Sequence, residues 1–325
     1  MRTLTISTLT ALVLFILPNT NFGQAPNLGD ASSFALFTSI GAFENTGNSL
    51  ISGDIGSNST SLIGFPPGEV DGTIHYTPDG VTAQVAADLL LAYNDLVGRT
   101  GGAVISTILN GQMLTPGLYD IGAATTLNGE IILDGQGDPN ALFIIQIDGA
   151  LTVGASQLST VTLINSASLC NVYWQVGGQF DLGAGSTFRG NLIVNGAIFL
   201  HNASSLFGRG LSIEGAVAIS NSVVRFNPEA AGTITGTTPV CQGDTGVSYT
   251  VPTIADAETY SWTLPFGATI ASGTNTNSIK VDYSTTASSG DITVKGINSC
   301  GGDGTASSLA ITVHPLPVTS LIYHE

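Results

Sequence analysis

Charged residues are scarce in this chain: they make up 9% of its 325 residues, and Lys plus Arg number seven, where an ordinary soluble domain is roughly a quarter charged. With a net charge of -16, the chain lacks the basic footprint that nucleic acid or an anionic membrane surface requires, which excludes both as partners. Few charges also leave few general acids and bases, and no enzyme activity is expected. Cysteine (three) and histidine (four) are sparse and show no Cys-x-x-Cys spacing, so neither a zinc site nor any other cofactor is implied. No apolar run is long enough to span a bilayer, and membrane insertion is not expected.

What is present points to a folded, exported, mainly β protein. Hydrophobic residues reach 43%, enough for a large core and unlike the signature of disorder, and the length leaves room for two domains. Arg2 precedes an apolar run from Leu4 to Leu17, then Pro18 and a small-residue exit at Asn21-Phe22-Gly23. That is the pattern of a cleavable signal peptide over residues 1–23. The mature chain, from Gln24, is expected to be secreted into an oxidising compartment where disulfides persist. In that setting the residues suggest a Cys241–Cys300 bridge and a buried free thiol at Cys170.

A short pattern recurs from residue 129: Gly129-Glu130-Ile131-Ile132-Leu133, Gly149-Ala150-Leu151-Thr152-Val153, Gly178-Gln179-Phe180-Asp181-Leu182, Gly196-Ala197-Ile198-Phe199-Leu200 and Gly215-Ala216-Val217-Ala218-Ile219. The glycines are 20, 29, 18 and 19 residues apart, the length of one coil of a parallel β-solenoid, with an insertion around Asn165 to Asn171 in the long step. In every unit the third and fifth residues are apolar. Strand side chains alternate, so these face one continuous core while the second and fourth face outward.

Between residues 78 and 98 the period becomes helical: Val81, Val85, Leu89 and Tyr93 recur at i, i+4, with Ala86, Leu90 and Val97 beside them. Thr77 and Pro78 supply a start and Gly98 a stop. Such a helix is about 30 Å long, roughly six coils at ~4.8 Å each, and could lie along one side of the solenoid. After Phe226 the texture changes. Residues 229–238 read as a linker, and 239–318 carry short runs such as Tyr260-Ser261-Trp262-Thr263-Leu264 and Asp291-Ile292-Thr293-Val294 between Gly/Asn/Ser turns, the signature of a small antiparallel β-sandwich. Residues 319–325 form a tail.

The ordered motifs from Leu28 to Phe226 resemble those of the bacterial and fungal ice-binding (antifreeze) proteins. They include Gly53-Asp54-Ile55-Gly56, Ile63-Gly64-Phe65-Pro66-Pro67-Gly68, Ala87-Asp88-Leu89 through Gly98-Arg99-Thr100, and Leu114-Thr115-Pro116-Gly117-Leu118-Tyr119. They continue with Leu133-Asp134-Gly135-Gln136-Gly137-Asp138-Pro139-Asn140 and Cys170-Asn171-Val172-Tyr173-Trp174-Gln175. The resemblance implies a right-handed solenoid of triangular section over 24–228, with a flanking helix, whose N- and C-terminal parts complete each other's coils. Its implied partner is the ice crystal surface. Some relatives bridge the cysteine matching Cys170 to a position near the end of the helix, where Gly101 and Gly102 stand here. The second domain resembles PKD-like, immunoglobulin-like modules, usually spacers or adhesive stalks, through Cys241-Gln242-Gly243, Tyr249-Thr250-Val251-Pro252 and Asn298-Ser299-Cys300-Gly301. Such a module offers a route to cell-surface or polysaccharide contact. No recognisable anchor follows Pro315-Leu316-Pro317, so the protein is either free or continues beyond this sequence.

An ice-contacting face needs flatness and a repeated array of small hydroxyl and methyl groups, because a charged head group orders its own hydration shell. The family's pattern of Thr, Ala or Gly, any residue, then Thr or Asn is matched at Thr46-Gly47-Asn48-Ser49, Ala184-Gly185-Ser186-Thr187 and Asn202-Ala203-Ser204-Ser205. Looser matches are Gly154-Ala155-Ser156-Gln157 and Asn221-Ser222. The bland reading of these positions is that they are solenoid-corner turns, where Ser, Asn and Gly are common for conformational reasons. The runner-up function is a surface adhesin built on the solenoid as a rigid scaffold. Asp134, Asp138 and Asp148 have a spacing that could hold calcium, though a turn is the simpler reading. His201 with Asp181 or Glu214 could hint at a sugar-cleaving pair. Arg189 and Arg209 are expected to stack or cap carbonyls, and Trp174 and Trp262 to be core.

Overall fold

The computed structural model describes residues 23–59, 62–77 and 79–317. The expected signal peptide, apart from Gly23, Pro78 and the 319–325 tail lie outside the described residues. Among those described, the solenoid strands form three parallel sheets of nine, seven and eight strands, here called faces A, B and C. Each coil visits them in turn, as in Leu151–Val153 on B, Thr160–Ile164 on C and Val172–Val176 on A.

The expected completion of coils is present. On face A the N-terminal strand Phe34–Thr38 pairs with Gly210–Ser212 on one side and Asp54–Ser57 on the other. On face B, Phe43–Thr46 lies beside Val217–Ser220. The alternation read from the pentads also holds: Ile131, Leu133, Leu151, Val153, Phe180, Leu182, Ile198, Leu200, Val217 and Ile219 are all buried in the core. Trp174 belongs there too, packed against Phe188, with its indole N–H donating to the Arg189 carbonyl. The pentad glycines have a steric reason. A Cβ on Gly215 would stand 2.1 Å from the backbone nitrogen of Ala197 on the next coil, and one on Gly196 2.7 Å from the Gly178 carbonyl.

One pentad is not a coil repeat. Glu130–Asp134 lies on face C, whereas the strands of the other four lie on face B, where Leu151–Val153 pairs with Thr125–Leu127. Residues 129 and 149 are thus corners of different faces, and strand alternation alone cannot distinguish one face from another.

Helix α1 spans Gly80–Val97 and lies along face A. Its start is set by Asp79, whose carboxylate accepts from the Val81 N–H at 2.7 Å, rather than by Thr77. The buried stripe is Thr82, Val85, Leu89, Ala92 and Leu96, leaving Val81, Leu90 and Val97 exposed. Val85, Leu89, Ala92 and Leu96 pack on Phe34, Phe37, Ile144, Tyr173, Ile193 and Leu211, the outward residues of face A.

The second module is an antiparallel sandwich. One sheet orders Thr235–Gly236, Val247–Thr250, Ser278–Tyr283 and Ala268–Ser272, another Thr259–Thr263, Gly290–Ile297 and Ser307–Ile311, and Val240–Cys241 pairs in parallel with Val313–His314. Part of the expected linker belongs to it, since Ile234 is buried in its core and Thr235–Gly236 pairs with Thr250 and Tyr249. The Tyr249 and Tyr283 hydroxyls meet at 2.8 Å, and burial pushes both phenols above their ordinary range. Trp262, expected as core, is only half-buried, with its N–H on the Thr276 carbonyl.

The expected Cys241–Cys300 bridge is absent. Cys300 is bonded to Cys170, and Cys241 is an exposed free thiol. The reason is tertiary: the module folds back onto the solenoid and carries Cys300 to the corner between faces C and A, where Cys170 sits in the turn Leu169–Asn171. Neither cysteine's local sequence reports that contact.

Candidate functional site

Three faces compete for function, and two are compromised. Face A lies under α1. Face C carries Glu130, Arg189, Arg225, Glu69 and Asp71 among its outward residues. It is also overhung by the second module: Arg225 pairs with Asp256 at 3.2 Å, and a cleft of about 650 Å³ is lined by Thr160, Thr162 and Arg189 on one side and Asp256 and Glu258 on the other.

Face B is bare. Its strands stay in parallel register, which sets neighbouring side chains ~4.8 Å apart along the sheet. One outward row runs Ala124, Ala150, Gln179, Ala197, Ala216, Ala42, tied by bonds such as Phe180 N–H to the Ala197 carbonyl and Val217 N–H to the Ala42 carbonyl, both 2.8 Å. The next row runs Thr126, Thr152, Asp181, Phe199, Ala218, Glu44. A third includes Ser220 beside Thr46. These rows are small and mostly uncharged. Gln179, Asp181, Phe199 and Glu44 interrupt them, and His201 stands 3.1 Å from Asp181.

The predicted site residues divide three ways. Thr46, Gly47, Ala155, Ser156, Ala184, Gly185, Asn202, Ala203 and Asn221 line the solvent side of the corner between faces B and C. There Asn221 donates to the Asn202 side chain at 2.8 Å and accepts from the Asn48 N–H at 2.8 Å, a side-chain ladder running along the corner. Thr187 and Ser205 lie on face C, paired with each other.

Ser49, Ser186, Ser204 and Ser222, by contrast, are buried. Their hydroxyls point into the corner and satisfy groups there: Ser49 Oγ donates to Asn45 Oδ1 at 2.6 Å and accepts from Ser222 N–H at 3.1 Å, and Ser204 and Ser222 meet at 3.2 Å. The same turn that exposes one residue turns the next inward, as at Ala203 (φ 60°) and Ser204. These serines are internal corner bonds and cannot touch a surface outside.

The alanine row was missed as a site, although its signal was in the sequence: Ala150, Ala197 and Ala216 are the second, outward residues of three pentads. The remaining candidates have structural roles. Asp134 Oδ1 accepts from Gln136 N–H and Asp138 Oδ1 from Asn140 N–H, each capping a turn. Glu214 stands beyond Gly210–Ser212, at the corner of faces A and B. Arg189 stacks on Phe207 and caps the Val161 carbonyl, as expected.

Comparison with known proteins gives two family matches: a family described as Ice-binding-like over residues 37–225, and a PKD-like domain over 227–311. The ice-binding protein of Nostoc sp. (strain HG1) is 39% identical over 200 residues, covering 61% of this chain and 72% of that protein. Ice-binding protein 1 of Shewanella frigidimarina (strain NCIMB 400) is 29% identical, and the match spans 62% of this chain but 26% of that longer protein. Among solved structures, an ice-binding protein from an Antarctic bacterium of the Flavobacteriaceae superposes with a TM-score of 0.59 at 38% identity, covering 68% of this chain and 56% of that one. One from the ascomycete Antarctomyces psychrotrophicus gives 0.59 at 32%, covering 62% and 98%.

Proposed function

The chain belongs to the Ice-binding-like family, and we propose that it is a secreted protein that adsorbs to ice through face B and thereby inhibits ice growth or recrystallisation. The observation that carries this reading is the register of face B: a row of alanines, broken by Gln179, repeats at the coil spacing with Thr126 and Thr152 beside it, on the one face that neither α1 nor the second module covers. A methyl or hydroxyl fixed at that spacing holds surface water in an ordered array without imposing a charged hydration shell. The exposed corner residues Thr46, Ala184, Asn202 and Asn221 extend the face at its edge. Adsorption needs no catalytic step. The Cys170–Cys300 bond supports export, since such bonds persist in oxidising compartments.

The test compares Ala197→Tyr on face B with Thr187→Tyr on face C, both in the full chain, for partition into growing ice and for recrystallisation inhibition. Ala197→Tyr is expected to abolish both with an unchanged melting temperature, because the ring stands outside the core, and Thr187→Tyr to leave both intact. The reverse result would move the adsorbing surface to face C.

A further inference from the structure

The contacts that fix the second module centre on one ridge, the corner where the chain passes from face C to face A, with the Arg225–Asp256 ion pair on face C beside it. Cys170 lies between Thr160–Ile164 on C and Val172–Val176 on A, and is bonded to Cys300. Ser168 Oγ donates to Glu258 at 2.5 Å in the same turn. Two coils further, Arg209 lies between Ser205–Phe207 and Gly210–Ser212. Its guanidinium donates to the Cys300 carbonyl at 2.6 Å, to the Ser32 carbonyl at 2.6 and 2.9 Å and to Asn191 Oδ1 at 2.9 Å, and it stacks 4.0 Å over Phe226. Burial lowers its pKa to about 10, which leaves it charged at neutral pH, with those carbonyls in place of water. On the last coil Asn298 donates to the Phe226 carbonyl at 2.9 Å.

In a three-sided solenoid the C–A ridge is the vertex opposite face B. We propose that the second module is part of the ice-inhibiting body, clamped on the side away from the ice by Cys170–Cys300 and Arg209, and not a flexible spacer. This rests on the reading of face B as the adsorbing face. Modules joined by a short connection normally move relative to each other, and a covalent bond plus a buried arginine at the junction removes that freedom. An ice front growing between adsorbed molecules must curve around each of them. A rigid body that stands off the surface is harder to overgrow than one whose outer half can fold down. The clamp therefore acts on inhibition, and face B on adsorption.

The experiment uses the full chain and the Cys170→Ala/Cys300→Ala variant, measuring small-angle scattering, the fraction of protein partitioned into ice and the freezing gap at equal ice-bound amounts. The expected result is a compact, rigid particle for wild type, a broadened distance distribution for the variant, equal partition and a smaller freezing gap in the variant. A flexible wild type, a variant that scatters like wild type, or a freed module with an undiminished gap would each overturn the proposal. If the variant fails to fold, wild type folded first and then treated with a phosphine reductant gives the same readouts. Failure of wild type to partition into ice would instead sink the face B reading and is seen in a separate channel.

Discussion

His201 Nε2, just beyond Ile198–Leu200 at the edge of face B, lies 3.1 Å from Asp181 Oδ1 on the neighbouring coil. Asp181 follows Thr126 and Thr152 in its row, so the pair sets two ionisable groups beside the two threonines. Replacing both, as Asp181→Thr with His201→Ser, is expected to extend the array and enlarge the freezing gap at equal protein concentration. An unchanged or smaller gap would mean that ice does not reach Asp181 and His201.

The buried corner serines lead to the opposite expectation. Ser222 is 1% exposed, and its hydroxyl bonds to the Ser204 hydroxyl and donates to the Ser220 carbonyl. Ser222→Ala leaves buried partners unmatched and is expected to destabilise the fold by about 1–3 kcal/mol, read as a lower denaturant midpoint. Ice partition per folded molecule should not change. Loss of ice binding without loss of stability would restore this serine to the contact surface.

Ala203 holds a left-handed backbone, with φ of 60°, at the position of its turn where Gly185 stands one coil earlier, with φ of 70°. A left-handed residue with a Cβ costs about 1–2 kcal/mol, partly offset by the extra chain entropy of glycine. Ala203→Gly should therefore stabilise the solenoid by up to about 1 kcal/mol. A melting temperature that falls on this substitution would contradict the strain argument.

The start of α1 is expected to be acid-sensitive. The hydrogen bond from His75 and then the Val81 N–H hold the Asp79 carboxyl below its ordinary 3.8. A lowered folded-state pKa gives stabilisation that is complete above the unfolded value and is lost as pH falls through the folded one. Acidification below the ordinary carboxylate range should fray the first turn, seen as faster amide exchange at Val81 and Thr82 before the solenoid melts. In Asp79→Asn, which keeps an uncharged cap, that acid step should disappear.

Much of the scaffold was legible because strand alternation is a local property. The third and fifth pentad residues had to point one way and the second and fourth the other, which identified the core and also contained the alanine row. The corner serines were misread because a single left-handed residue decides whether its neighbour points in or out, and Asn, Ala and Gly all fill that position here, at Asn221, Ala203 and Gly185. The helix was found, yet its buried face was displaced onto Thr82, Ala92 and Leu96, since Val81, Leu90 and Val97 are apolar without facing face A.

Short-range periodicity and composition are enough to specify a β-solenoid with one long helix, a sandwich after it, and a surface poor in charge. Which face is bare, which hydroxyls reach solvent and which cysteine Cys300 joins were decided by tertiary structure. Those depend on how coils stack and on where the second module folds back, contacts between residues as far apart as the 130 positions separating Cys170 from Cys300, which no local pattern encodes.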